Sequence, residues 1–240
     1  MKQDHFLVIS HKGAGEYAPE NTLKAIQKAI DLGAEFVEFD IHKTKDNKIV
    51  LIHDADTYKT TGKHGIIKNM TLTEIKKLDA GEGEKIPTLQ EVITVAKNKI
   101  NLQIEIKAEG LINNLVQLLH QENLIESSII SSFSLSELIK LRKKEPKLRI
   151  GYLLPAEIQN VRFIKRNILK ATKNHFYAIH PHFSIVSKEI VEYSQNNNLT
   201  VNVWTVNDEK TMKKLINLGV NGIITDEIAV LKNCLKSISR

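Results

Sequence analysis

Residues 35–54 read EFVEFDIHKTKDNKIVLIHD: two apolar, β-branched runs, Glu35 to Ile41 and Lys48 to His53, on either side of Asp46 and Asn47. A turn that short leaves no room for a crossover helix, so the two runs predict an antiparallel hairpin. Seven further strand-like runs lie around it: Phe6 to Ser10 before, then Asn101 to Ile106, Ser128 to Ser132, Arg149 to Leu154, Phe176 to His180, Thr200 to Trp204 and Gly222 to Thr225. Setting aside the hairpin's returning run leaves eight, and most are followed by a helical pattern with legible ends. Asn21 is placed to cap a helix whose Leu23, Ile26 and Ile30 share one face, with Gly33 at its left-handed stop. Thr88 with Glu91, and Ser134 with Glu137, read as capping boxes, the second opening a helix that Pro146 ends. Asn207 to Leu218 closes at Gly219, and Asp226 opens a last helix. Eight strands alternating with eight helices in 240 residues predict an α/β fold, a (β/α)8 TIM barrel forming one domain over 1–240. A doubly wound open sheet fits the same periodicity and stands as the alternative. Between Asp54 and Pro87 the chain passes through Gly62, Gly65, Gly81 and Gly83 with one short capped helix, Thr71 to Leu78. A connection that long predicts a small insertion or lid over 55–86.

Composition bounds the function. Charged residues are 26% and hydrophobic residues 42%, ordinary globular usage. Apolar runs such as Phe6 to Ile9 fall far short of the roughly 20 residues of a membrane span, and no leader pattern precedes them. The expectation is a cytoplasmic protein without a stable membrane anchor. One cysteine, Cys234, excludes an intramolecular disulfide and a multi-cysteine zinc site. The net charge of +6 comes from scattered lysines, and the clusters Arg142, Lys143, Lys144 and Arg162, Lys165, Arg166 read as solvated helix faces. With aromatic content at 5%, nucleic acid is not an expected partner. No strongly amphipathic, aromatic-rich segment marks a lipid-facing helix. Nothing in the pattern bears on oligomeric state.

In a barrel of this type active sites form at the C-terminal ends of the strands. Glu38 and Asp40 are one residue apart on a strand and so share a face, and Glu105 with Lys107 repeats that geometry in the next strand. Three acids in one pocket repel unless a cation neutralises them, and an all-carboxylate set suits hard Mg²⁺ or Ca²⁺ rather than zinc. His11 and His53 end two nearby runs and suit an acid/base pair near neutral pH. His5, His42, His64, His120 and His175 read as structural, whereas His180 and His182 flank Pro181 on the same rim and are candidates for a supporting role. Trp204 is placed to line the pocket or to pack beneath it.

An ordered series of short motifs runs from Ser10 to Asp226: His11-Lys12-Gly13, Ala18-Pro19-Glu20-Asn21-Thr22, Glu38-Phe39-Asp40, His53-Asp54, Thr60-Thr61-Gly62, Leu78-Asp79-Ala80-Gly81, Ile86-Pro87-Thr88-Leu89, Glu105-Ile106-Lys107, Trp204-Thr205-Val206-Asn207 and Thr225-Asp226. Together they resemble the glycerophosphodiester phosphodiesterase family. The resemblance implies a barrel with a small insertion after the His-Asp motif, a divalent metal on Glu38, Asp40 and Glu105, and His11 with His53 as acid/base pair. It also places Lys12, Lys107 and Trp204 at the substrate and implies hydrolysis of a small glycerophosphodiester to sn-glycerol 3-phosphate and an alcohol. Activity on lysophospholipids, or phosphoester binding without catalysis, are the alternatives. The family usually has Arg where this chain has Lys12, and Pro where it has Ile228. A lysine keeps the charge but loses the planar fork that grips two phosphate oxygens.

Overall fold

Parallel neighbours in a sheet need a crossover, and each long helix that lies between two strands of this chain supplies one. The structure, a computed structural model, describes residues 5–238, so the ends of the predicted 1–240 span lie outside the described residues. The elements run β1 (Leu7–Ser10), α1 (Leu23–Asp31), β2 (Phe36–Lys43), β3 (Ile49–Leu51), α2 (Tyr58–Thr61), α3 (Leu72–Ile75), α4 (Leu89–Ala96) and β4 (Asn101–Ile106). They continue α5 (Ile112–Gln121), β5 (Ser128–Ser132), α6 (Leu135–Lys144), β6 (Arg149–Leu154), α7 (Val161–Lys173), β7 (Ala178–Pro181), α8 (Lys188–Asn196), β8 (Thr200–Val203), α9 (Glu209–Asn217), β9 (Gly222–Thr225) and α10 (Ile228–Ile238). The sheet order β1-β9-β8-β7-β6-β5-β4-β2 closes through β1–β2 pairing, with Ile9 opposite Phe36. The closed ring of parallel strands is a TIM barrel and excludes the open sheet.

β3 lies outside the ring and pairs antiparallel with β2, Ile41 opposite Leu51 and Lys43 opposite Ile49. It is shorter than the predicted Lys48–His53 run, but the backbone stays paired as far as the Ile52 N–H, which donates to the Asp40 carbonyl. β2 overshoots the rim of the barrel, and β3 brings the chain back to it. His53 therefore arrives at the level of Asp40.

Two faces of each strand serve two cores. The outward faces, with Val37, Phe39, Ile104, Ile179 and Val203, pack on the helices. Inside the barrel Leu7, Ile9, Phe36, Ile129 and Ile224 form a small apolar cluster. Residues 55–86 pack on a third cluster, in which Ile67, Ile75, Leu78 and Ile86 cover Val50 and Ile52 of the hairpin. The capping box at Thr88 forms as its sequence predicts, and the short capped helix after Thr71, which stops at Ile75 rather than Leu78, has a capping box of its own with Glu74.

Three predicted helix starts are corrected. Thr22, not Asn21, caps α1, accepting from the Ala25 N–H, because the Asn21 side chain is taken by Asp40. Asp208, not Asn207, caps α9, and Asn207 turns to Asp226. Asp226 stands two residues before α10 and faces His11 instead of opening the helix. At Ser134 one arm of the box forms, its hydroxyl accepting from the Glu137 N–H, while Glu137 pairs with Lys140.

Candidate active site

Glu38 and Asp40 end the inward face of β2, and Glu105, which pairs in register with Asp40, ends that of β4. One oxygen from each of the three lies within 4.8 Å of the others, and all three side chains are buried. Each is held. The Lys12 backbone N–H donates to Glu38 at 2.9 Å, and Asn21 Nδ2 donates to Asp40 at 3.0 Å. Lys107 Nζ stands 3.0 Å from Glu105 and 3.5 Å from Asp40. Burial first, and the neighbouring Asp40 second, raise both Glu38 and Glu105 above the usual carboxylate range. One lysine among three carboxylates leaves room for two more positive charges, and an all-oxygen donor set fits a hard divalent cation.

The turn carrying Lys12 is tight for a steric reason. Lys12 has φ +49° and Gly13 φ +86°, and a Cβ on Gly13 would stand 2.5 Å from Cβ of Ala25. From that turn His11 meets Asp226 and the Lys12 ammonium meets Glu20. Lys12 Nζ pairs with Glu20 at 3.0 Å and is largely buried.

Each candidate histidine is oriented by an aspartate. His11 Nδ1 meets Asp226 at 2.9 Å, and Asp226 in turn accepts from Asn207 Nδ2 at 2.7 Å. His53 Nδ1 meets Asp54 at 2.5 Å, while its Nε2 lies 3.2 Å from Lys107 Nζ and so faces the carboxylates. Burial lowers the affinity of His11 for a proton, but the Asp226 hydrogen bond and the nearby Glu38 outweigh it, and its pKa is raised. Asp54 is lowered by its bond to His53, and Asp226, though burial opposes it, by its bonds to His11 and Asn207.

Beside Glu105 and Lys107 opens a cavity of about 280 Å³, lined also by Phe133 and Ser134. Lys107 Nζ stands 5.9 Å from the centre of the Phe133 ring, and Trp204 meets that ring edge-on at 5.4 Å. Trp204 is half-buried, with its indole N–H donating to the His180 carbonyl at 2.7 Å. His182 packs edge-on against Trp204 at 5.2 Å. His180 does not reach the rim. It is buried in the barrel, its Nε2 3.3 Å from Asn202 Nδ2 and its Nδ1 without a protein partner.

The chain matches the model of the glycerophosphoryl diester phosphodiesterase family over residues 11–230. It belongs to that family. A glycerophosphodiester phosphodiesterase of Caldanaerobacter subterraneus is 37% identical, covering 96% of this chain and 98% of its own. Among solved structures of the family, a phosphodiesterase of Oleispira antarctica in complex with the product sn-glycerol-3-phosphate superposes with a TM-score of 0.86 at 29% identity, covering 96% of each chain. A glycerophosphodiester phosphodiesterase of Thermotoga maritima gives 0.82 at 29% identity, covering 99% of this chain and all of that one.

The predicted residues Glu38, Asp40, Glu105, His11, His53, Lys12, Lys107 and Trp204 thus surround one mouth. No active-site role was legible in the sequence for Asn21, Asp54, Asn207 or Asp226, although all four stand inside the quoted motifs; Asp226 meets His11 from 215 positions away. Phe133 carried no sequence signal.

Proposed function

We propose that the chain is a phosphodiesterase that hydrolyses a glycerophosphodiester to sn-glycerol 3-phosphate and an alcohol. The observation that carries this is the pair of aspartate-held histidines, His11 on Asp226 and His53 on Asp54, on either side of the buried carboxylates. An Nδ1–H tied to a carboxylate fixes the ring and leaves Nε2 for the reacting atoms. One histidine takes the proton of the attacking hydroxyl, the P–O bond to the alcohol breaks, and the other returns a proton to the leaving oxygen. The nucleophile is water, or the substrate's own glycerol hydroxyl through a cyclic phosphate that water then opens.

Glu38, Asp40 and Glu105 would hold a divalent cation, Mg²⁺ or Ca²⁺, which when bound supplies charge for the phosphoryl oxygens. Lys107, between the carboxylates and the mouth, and Lys12, on leaving Glu20, bring ammonium groups to the phosphate. Trp204 and Phe133 offer an apolar wall to the glycerol or the alcohol. Residues 55–86 act as a small insertion beside the mouth within a single barrel domain. The reading is that of a cytoplasmic enzyme of lipid-derived glycerol phosphates.

A panel of glycerophosphodiesters and lysophosphatidylcholine, assayed for sn-glycerol 3-phosphate or lysophosphatidate with and without EDTA, tests the reading. Turnover of the diesters that EDTA abolishes and Mg²⁺ or Ca²⁺ restores is expected; no turnover at all would leave a phosphoester-binding barrel.

A further inference from the structure

Among the described residues eight large apolar side chains are exposed, and seven of them stand at one end of the barrel, on loops leaving the C-terminal ends of strands or on the first turn of the helix that follows. Tyr17 follows β1, Phe133 follows β5 and Phe183 follows β7. Tyr58 and Ile66 belong to the excursion after β3, and Val161 and Phe163 open α7. The eighth, Leu169, lies farther along α7. Exposed apolar residues scattered singly need no explanation. Seven of eight gathered around the mouth of the active site do.

The two most protruding groups are each flanked by cations. Tyr58, 54% exposed, and Ile66 stand among Lys59, Lys63 and Lys68, all exposed. Phe163, 55% exposed, and Val161 alternate with Arg162 and Arg166, also exposed. Against these five cations the same two segments carry Asp56, already engaged by the Tyr58 N–H and His64, and Glu157. Phe163 thus interleaves the second basic cluster, which reads from sequence as a solvated face. A protein partner needs a contiguous apolar core to the interface. Apolar tips on separate loops, spaced by lysine and arginine, match a different surface: a boundary where acyl chains lie a few ångströms below anionic phosphates.

We propose that this rim is a reversible docking face for a bilayer leaflet containing anionic phospholipid, with the apolar tips entering the headgroup boundary and the basic residues pairing with lipid phosphates. The proposal rests on reading the same rim as the mouth of the phosphodiesterase site. It requires no membrane-crossing helix, and no helix among the described residues is long and apolar enough to cross a membrane.

Co-sedimentation of the full chain with vesicles tests it, comparing phosphatidylcholine alone with equal parts phosphatidylcholine and phosphatidylglycerol. Binding to the anionic vesicles, roughly tenfold or more above the neutral ones, is expected. Arg162→Glu with Arg166→Glu should lower it by a similar factor, and Val161→Ser with Phe163→Ser should lower it severalfold. Lys143→Glu with Lys144→Glu, at the far end of α6, should leave it nearly intact. Hydrolysis of soluble glycerophosphocholine should be unchanged in all of these variants, so loss of docking and failure of the catalytic reading are told apart. The proposal is overturned if anionic vesicles are bound no better than neutral ones, if the α6 pair abolishes binding as fully as the α7 pair, or if sedimentation velocity shows the rim buried in self-association that the serine variants dissolve.

Discussion

Asn21 and Asp40 are joined by two hydrogen bonds: Asn21 Nδ2 donates to Asp40 Oδ2, and the Asp40 backbone N–H donates to Asn21 Oδ1, each at 3.0 Å. The pair ties the loop after β1 to β2 at the rim of the barrel and holds the Asp40 carboxylate in place. Asn21 sits at φ +58°, which asparagine and glycine tolerate. Asn21→Gly keeps that backbone and removes the side chain, leaving a buried N–H without an acceptor at a cost of about 1–3 kcal/mol. Metal affinity, read by isothermal titration, should fall in Asn21→Gly. Asn21→Ala should unfold at lower urea than Asn21→Gly, since it adds backbone strain; equal midpoints would show that the φ carries no cost.

Replacing Glu38, Asp40 or Glu105 singly with Ala should weaken metal binding and reduce turnover together, because the remaining acids lose their shared counter-charge. Measured affinity for Mg²⁺ and Ca²⁺ beside kcat checks this, and full activity after exhaustive chelation would refute it.

His11→Ala and His53→Ala should each lower kcat by about 10²–10⁴-fold with metal binding retained. The double variant should cost less than the product of the two, as groups acting as a unit are non-additive. Asp226→Asn keeps the shape but weakens the hold on His11 Nδ1, so its kcat should fall as well, with KM nearly constant.

Lys12 is bound by Glu20 rather than standing free. Lys12→Ala should therefore cost substrate affinity, a charge-assisted contact being worth about 1.5–3 kcal/mol, whereas Glu20→Gln should free the ammonium and lower KM. Lys12→Arg should change kcat/KM without changing metal affinity. Identical kinetics for Ala, Lys and Arg at this position would remove Lys12 from the phosphate site.

His180 supplies the pH prediction. Burial depresses its pKa from the ordinary 6.5 to about 3. Below 6.5 the unfolded chain takes up a proton at this imidazole that the folded chain refuses, so stability is complete above 6.5 and is lost progressively as pH falls toward 3. The slope attributable to one group is at most about 1.4 kcal/mol per pH unit. Urea unfolding at neutral pH and near pH 5 should show a smaller loss in His180→Leu than in the parent. The variant should be less stable at neutral pH, where Asn202 loses its acceptor.

The strand and helix alternation, the antiparallel return at Asp46-Asn47, and the face shared by Glu38 and Asp40 were legible in sequence, because each follows from local periodicity and turn length. The ordered motifs carried the family as well. What local pattern could not determine is who meets whom. Asn21 looks like a helix cap until Asp40 takes its side chain, and Asp226 looks like a helix start until β9, lying beside β1, brings it to His11. His53 follows a strand that runs against the barrel, and it reaches the site only because β2 extends past the rim before turning back. The same holds for the exposed apolar residues, which no window of the sequence gathers. Ring closure, with its long-range strand pairing, places them around one mouth, and that closure is a property of the whole chain.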